Sequence, residues 1–318
     1  MAGSRIALVA LVLIASAAYA VETPTHRTFN VAPGGTLTID TDVGNIRVDT
    51  GGSGVSVDVT QRTRVSNRRL ELTFDQQQND VTVRGKLEPT SRWFNWSDDE
   101  ANFVVTVPSR YNVQLKTSGG DIRVGNLQGQ ASVRTSGGGI ELGRIDGPVV
   151  AHTSGGDLSL DGTSGTADLH TSGGGIRIGD VSGSVTAKTS GGSIDIRRVA
   201  GDLVAKTSGG GITIGEANGS VDAQTSGGSI KAQLSQQPRA DSRLSTSGGG
   251  ITISIAPGVS VDLDAHTSGG DVDTDIPVTL LGRQDDSSLQ GKINGGGPKL
   301  ILRSSGGNIH VRRMKAEG

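Results

Sequence analysis

The 318-residue chain contains no cysteine, and only 3% of its residues are aromatic. The first absence excludes a disulfide framework and a lipid-anchored cysteine. The second, set beside 50 glycines, is a composition that often marks low complexity. Charge of one sign is lacking too. The formal net charge is -2, and charges of both signs are mixed along the chain. No field steers it toward nucleic acid or an anionic membrane surface. Long apolar runs are also missing. Only Ile6 to Ile14 qualifies, and it is too short to cross a bilayer comfortably. With Arg5 before it and Ala18-Tyr19-Ala20 after it, this run reads as a secretory signal cleaved after Ala20. The mature chain is therefore expected in a periplasm, outside the cell or at its surface, with no transmembrane segment.

What the chain does have is a period. Thr-Ser-Gly-Gly recurs at Thr117, Thr135, Thr153, Thr171, Thr189, Thr207 and Thr225, a strict step of 18 residues. Two steps of 21 follow, to Thr246 and Thr267. Within each repeat, counted from the Thr as zero, positions five and seven are apolar, as in Ile140 and Leu142 or Ile176 and Ile178. Position ten is usually apolar (Leu127, Ile145, Val181, Val199), with Thr163 and Ala217 the weaker members. Positions fourteen and sixteen are apolar again, as in Val149 and Ala151, and position twelve is always Gly. The glycine is thus locked to the period and is corner chemistry, not disorder.

Alternation in steps of two means strands. Each repeat holds two short strands, with corners at the Ser-Gly-Gly and at the position-twelve Gly, where positive φ or close backbone approach is needed. The Thr shares the inward parity of positions fourteen and sixteen. Its methyl should face the core and its hydroxyl should serve the corner backbone. A fixed period of this size marks a solenoid. Stacking keeps every repeat in one register and lines like residues up in columns about 4.8 Å apart. The fold class expected is all-β: a parallel two-sheet β-solenoid (β-helix) with about 18 residues per rung. The crossover preference of parallel strands favours a right-handed coil.

The flanks are less regular. Thr41-Asp42-Val43-Gly44 is a degenerate first motif, with Ile46 and Val48 at five and seven and Val55 and Val57 assigned to fourteen and sixteen. Leu70 to Phe74 and Val81 to Val83, joined by a polar turn from Gln76 to Asp80, read as a hairpin. Phe103 to Val107 returns to the sheet. The extra residues of the longer steps fall near Gln236 to Asp241 and at Ala256-Pro257-Gly258, read as corner loops. Leu300, Leu302, Ser304, Ile309 and Val311 recover the register near the end. The organisation expected is a signal peptide (1–20), an N-terminal cap region (21–116), regular repeats (117–277) and C-terminal rungs with a cap (278–318).

The Thr-Ser-Gly-Gly-x-Ile-x-Ile rungs resemble the bacterial "putative adhesin" family of β-strand-repeat proteins, long classed as a domain of unknown function. So do Phe103-Val104-Val105-Thr106-Val107-Pro108 and Gly295-Gly296-Gly297-Pro298-Lys299-Leu300. The resemblance covers about residues 30 to 312. It implies a secreted or surface-associated β-solenoid and supplies no catalytic residues.

Candidate sites come from the columns. Position seventeen gives Lys116, Arg134, His152, His170, Lys188 and Lys206, then Gln224. Stacked, these form a basic stripe about 25 Å long, suited to an anionic glycan or envelope polymer. The plainer reading is a solvated face with ordinary opposite-charge dressing, because positions six and fifteen mix both signs. His152, His170 and Asp168 fall together on adjacent rungs, and two imidazoles with a carboxylate can hold a transition metal. Expected to be flat, exposed and without supporting contacts, they read as surface residues in register, and no metal or other cofactor is expected. Trp93, Phe94 and Trp96 are the localised aromatic candidates, either stacking on a sugar or partner or covering the end of the rod. The corners lack the repeated Gly-Gly-x-Gly-x-Asp of calcium-binding repeats. The rungs are too uniform to frame a catalytic groove with carboxylates paired across it. The function expected is therefore non-enzymatic: an adhesin-like scaffold presenting a repetitive surface to a polymer or a surface protein. The alternatives are an envelope-stress or signalling component that binds one protein partner and, less favoured, a β-helical polysaccharide-acting enzyme.

Overall fold

The computed structural model describes residues 21–63, 70–87, 100–281 and 285–314. Those residues are all-β, built as two long sheets of fourteen and fifteen strands. Positions five and seven run down the first sheet, where Ile140, Leu158, Ile176, Ile194 and Ile212 face one another in turn. Positions fourteen and sixteen run down the second, as in Val149 opposite Ala167 and Ala167 opposite Val185. Both files are parallel. The core is the space between them, filled by the apolar columns at five, seven, ten, fourteen and sixteen. Thr163, the odd member at position ten, is also buried and gives its hydroxyl to the Gly147 carbonyl.

The signature threonines point inward as their parity requires, from 0% exposed at Thr267 to 7% at Thr207. Thr153 donates to the Gly138 carbonyl at 2.7 Å and Thr189 to the Gly174 carbonyl at 2.7 Å, each reaching the corner of the rung before. Close approach, more than φ, explains the corner glycines. A Cβ on Gly174 would sit 2.2 Å from the Gly156 carbonyl oxygen.

Two expectations are corrected at the ends. Val55 and Val57 are buried, but not at positions fourteen and sixteen of the second sheet. They lie in the strand Val55–Thr63, which runs antiparallel to Glu100–Val107 within the first sheet. The Gly51-Gly52-Ser53-Gly54 turn sends the chain back alongside its own sheet instead of across the core. Val21–Phe29 then pairs outside it as the edge strand. At the other end, Thr267 does not stack on Thr246. The final rung, Lys299–Ser304 and Ile309–Arg313, slides between them: Thr246 faces Ser304, and Ser304 faces Thr267. The N-terminal end shows the same inversion. Thr36–Thr41 lies between Asn112–Thr117 and Asp80–Leu87. The degenerate motif is nonetheless in register there, with Thr41 opposite Thr117.

The hairpin expectation holds as Leu70–Gln77 against Asp80–Leu87, turning at Gln78 with φ 54°. Phe74 of this hairpin reaches Phe29 of the other sheet, ring centroids 6.5 Å apart, and Arg27 lies over the Phe74 ring. These side chains close the N-terminal end of the core. No helix among the described residues is long and apolar enough to cross a membrane.

Candidate functional site: the two charged faces

The outer face of the second sheet carries the expected file. Lys116, Arg134, His152, His170, Lys188 and Lys206 are direct neighbours on successive strands. The file is less basic than it reads. Lys116 lies 3.6 Å from Asp40, a residue of the inserted N-terminal rung. Lys206 pairs with Asp222 at 3.0 Å and His170 with Asp168 at 2.7 Å. Arg134 Nη2 lies 3.0 Å from His152 Nδ1. Among the described residues, Arg134 and Lys188 are the Arg and Lys members of the file with no carboxylate partner, and both are exposed; His152 has no carboxylate partner either. Burial pushes the His152 imidazole below its ordinary value, and the neighbouring His170 and Arg134 push the same way.

His152 and His170 stand with ring centroids 4.9 Å apart. One nitrogen from each and one Asp168 oxygen all lie within 4.8 Å of one another. The expected trio is therefore brought together, and all three residues are half-buried where exposed ones were expected. Trp93, Phe94 and Trp96 lie outside the described residues.

A second charged surface was not singled out from the sequence. It lies on the outer face of the first sheet. Arg123 there pairs with Glu141 at 3.0 Å, Arg197 with Asp180 at 2.7 Å, and Arg198 with Glu216. Arg144 and Arg177 have no carboxylate partner among the described residues. Both line an open depression of about 490 Å³ with Asn126, Ser159, Asp161 and Gly179. The floor is shallow because position eight is Gly at Gly143 and Gly179. A Cβ on Gly179 would fall 1.9 Å from the Asp161 carbonyl oxygen, so no side chain can stand there. Asn126 Oδ1 accepts from the Arg144 backbone N–H at 2.8 Å and fixes the rim. The signal was present as a position-eight column of Gly125, Gly143, Asp161, Gly179, Arg197 and Gly215. Read beside position nine, that column places Arg144 over open glycine backbone.

The stacked register, the inward threonines and the corner glycines are the features by which a family would be recognised, and residues 35–246 match the family model described as Toastrack DUF4097. The chain belongs to this Toastrack family. No curated protein matches it. Among solved structures, it is similar to a "putative cell adhesion protein" from Clostridium sporogenes, at 10% identity over 93% of this chain and 100% of the other, with a TM-score of 0.25. It is also similar to a "putative adhesin" from Bacteroides fragilis, at 13% identity over 92% and 97%, TM-score 0.32. A third is a "putative lipid binding protein" from Parabacteroides distasonis, at 15% identity over 73% and 93%, TM-score 0.28. At these scores the superpositions carry no functional argument for this Toastrack chain.

Proposed function

We infer that this Toastrack protein is an exported, non-enzymatic, adhesin-like scaffold that holds an anionic polymer against its flat faces by repeated weak contacts. One observation carries the reading. Outward side chains of successive rungs lie in register on two long faces, and each face keeps cations that no acid of the described chain neutralises. These are Arg134 and Lys188 on one face and Arg144 and Arg177 on the other. Arg144 and Arg177 stand two rungs apart, about 10 Å along the rod. Contacts repeated at such spacing raise overall affinity by effective concentration without any one being strong. The expected leader at residues 1–20 supports export.

The test is binding to an array of neutral and acidic glycans at low and moderate salt. Broad acidic-glycan binding is expected, weakened by salt as exposed charge contacts are. Arg144→Glu with Arg177→Glu, and Lys188→Glu with Lys206→Glu, should each reduce it. Binding unchanged in both double variants removes this reading. Capture of one tight protein partner, with no glycan bound, would favour a signalling component instead.

A further inference from the structure

We propose that His152, Asp168 and His170 form a binding site for a single divalent transition-metal ion, such as zinc, on the outer face of the second sheet. The strand geometry sets it up. Asp168 and His170 are two residues apart on Ala167–His170, so both project from the same face. His152 stands directly opposite His170 on the neighbouring strand Val149–His152. Two ligands along one strand and a third on the next rung make a triangle whose side-chain tips converge. Here one potential ligand atom from each residue lies within 4.8 Å of the others. Ligands at ~2.0–2.1 Å from one ion need closer spacing, and side-chain rotation on an open face supplies it. Nitrogen from two imidazoles with one carboxylate oxygen suits zinc or a neighbouring first-row metal, and water would fill the remaining positions.

The protonation pattern supports the site independently. Arg134 can only donate, so its contact with His152 Nδ1 requires that nitrogen to accept, leaving the proton on Nε2. His152 Nε2 is enclosed and has no hydrogen-bond partner. An enclosed polar atom with nothing to bond is a standing energetic debit of about 1–3 kcal/mol. A metal ion relieves it, either at Nε2 itself or by taking Nδ1 and freeing the ring to turn. On the other side, His170 Nε2 lies 2.7 Å from Asp168 Oδ1. An ion taking the place of the proton they share would have His170 Nε2 and an Asp168 oxygen as ligands together. The site differs from two other His–Asp pairs, the exposed His26 with Asp58 and the half-buried His310 with Asp273, in bringing a second imidazole.

The charges around the site oppose it in part. Arg134 flanks it on one rung and Lys188 on the other, each opposite a ligand histidine. Whichever nitrogen of His152 ligates, Arg134 competes: metal at Nδ1 displaces the guanidinium, and metal at Nε2 moves the proton to Nδ1, facing it. The site is therefore expected to be weaker than a closed structural zinc site, and removing Arg134 should strengthen it.

The experiment is titration of the mature chain with zinc followed by calorimetry, and with cobalt(II) followed by its visible absorption. One ion per chain is expected. His152→Gln with His170→Gln should abolish it, and Asp168→Asn should weaken it about tenfold or more. Arg134→Ala should tighten binding severalfold, and His310→Gln should leave it unchanged. Circular dichroism checks that each variant, altered only on an outward face, stays folded. No binding by the parent chain at millimolar zinc overturns the proposal. So does a double variant that binds like the parent, or an Arg134→Ala variant that binds no more tightly. None of these results bears on glycan binding, which is read separately.

Discussion

The Thr171 hydroxyl donates to the Gly156 carbonyl at 2.8 Å, tying the start of one rung to the corner of the rung before it. The same bond recurs from Thr135 to Gly120, Thr207 to Gly192 and Thr225 to Gly210. It survives the inserted rung, where Ser304 takes the place of the Thr and donates to Gly249 at 2.8 Å. Val at this position keeps the shape and the inward methyl but strands a half-buried carbonyl. Thr171→Val should therefore destabilise the chain by about 1–3 kcal/mol despite being more apolar. Urea unfolding of the parent and the variant measures it. A neutral result would mean that the Thr column is kept for packing alone.

Corner glycines divide into those that rung stacking demands and those it does not. A Cβ on Gly174 meets the backbone oxygen of Gly156 at 2.2 Å, and backbone cannot rotate away as a side chain can. At Gly119, beside the first motif Thr117, the same Cβ meets nothing within 4 Å. Gly174→Ala should cost about 3 kcal/mol, near the upper end of overpacking penalties. Gly119→Ala should stay within about 0.5 kcal/mol of the parent. Midpoints of thermal or urea unfolding for the two variants make the comparison. Equal effects would assign the glycine to φ or chain entropy instead of contact.

Tyr111 supplies a pH signature. It is fully buried near the N-terminal end, and its hydroxyl donates to the Asn79 carbonyl of the hairpin turn. Burial first, and then the Asp80 carboxylate, push the phenol up to about 12 from the ordinary tyrosine value of about 10. The folded state thus holds the proton more tightly than the unfolded chain does. Its contribution is complete below the unfolded value and is lost as pH rises from about 10 toward 12, amounting to roughly 2–3 kcal/mol. The stability gap between the parent and Tyr111→Phe should shrink by that amount across this window and stay flat from pH 6 to 9. A gap that does not change with pH would mean that the phenol titrates normally.

The period made most of this architecture legible. Columns at five, seven, fourteen and sixteen state which side chains share the core, and the structure stacks them as read. The ends were not legible, for a physical reason. Alternation in Val55 and Val57 shows a strand with one buried face, but it carries no sign of direction or of which sheet receives it. Likewise the step from Thr246 to Thr267 looks sequential because spacing along a chain does not reveal a later segment slipping between. The cation file suffered from the same blindness. Its residues were found, but Asp40, which answers Lys116, arrives from the inserted rung. Arg144 and Arg177 were passed over because columns read one at a time do not show where a glycine file leaves room beside a neighbour.

The stacking itself has a sharp test in deletion. Residues 171–188 are one full period. Removing them would bring Ile194 opposite Leu158, the place that Ile176 now holds between them. Corner bonds would re-form in kind. Gly191 N now donates to Ser172 O and Gly173 N to Ser154 O, both at 3.0 Å, so Gly191 would inherit Ser154. Thr189 would likewise inherit the Gly156 carbonyl that Thr171 uses now. The shortened chain should fold and unfold cooperatively with a modest loss of stability, as one nearest-neighbour interface is removed from a linear array. Deleting only residues 171–179 sends the next strand to the opposite sheet and turns every following rung out of register. That variant should lose cooperative unfolding and its β-sheet circular dichroism, at least beyond the cut. If the two deletions behave alike, the rungs are not interchangeable units and the columns do not hold the rod together.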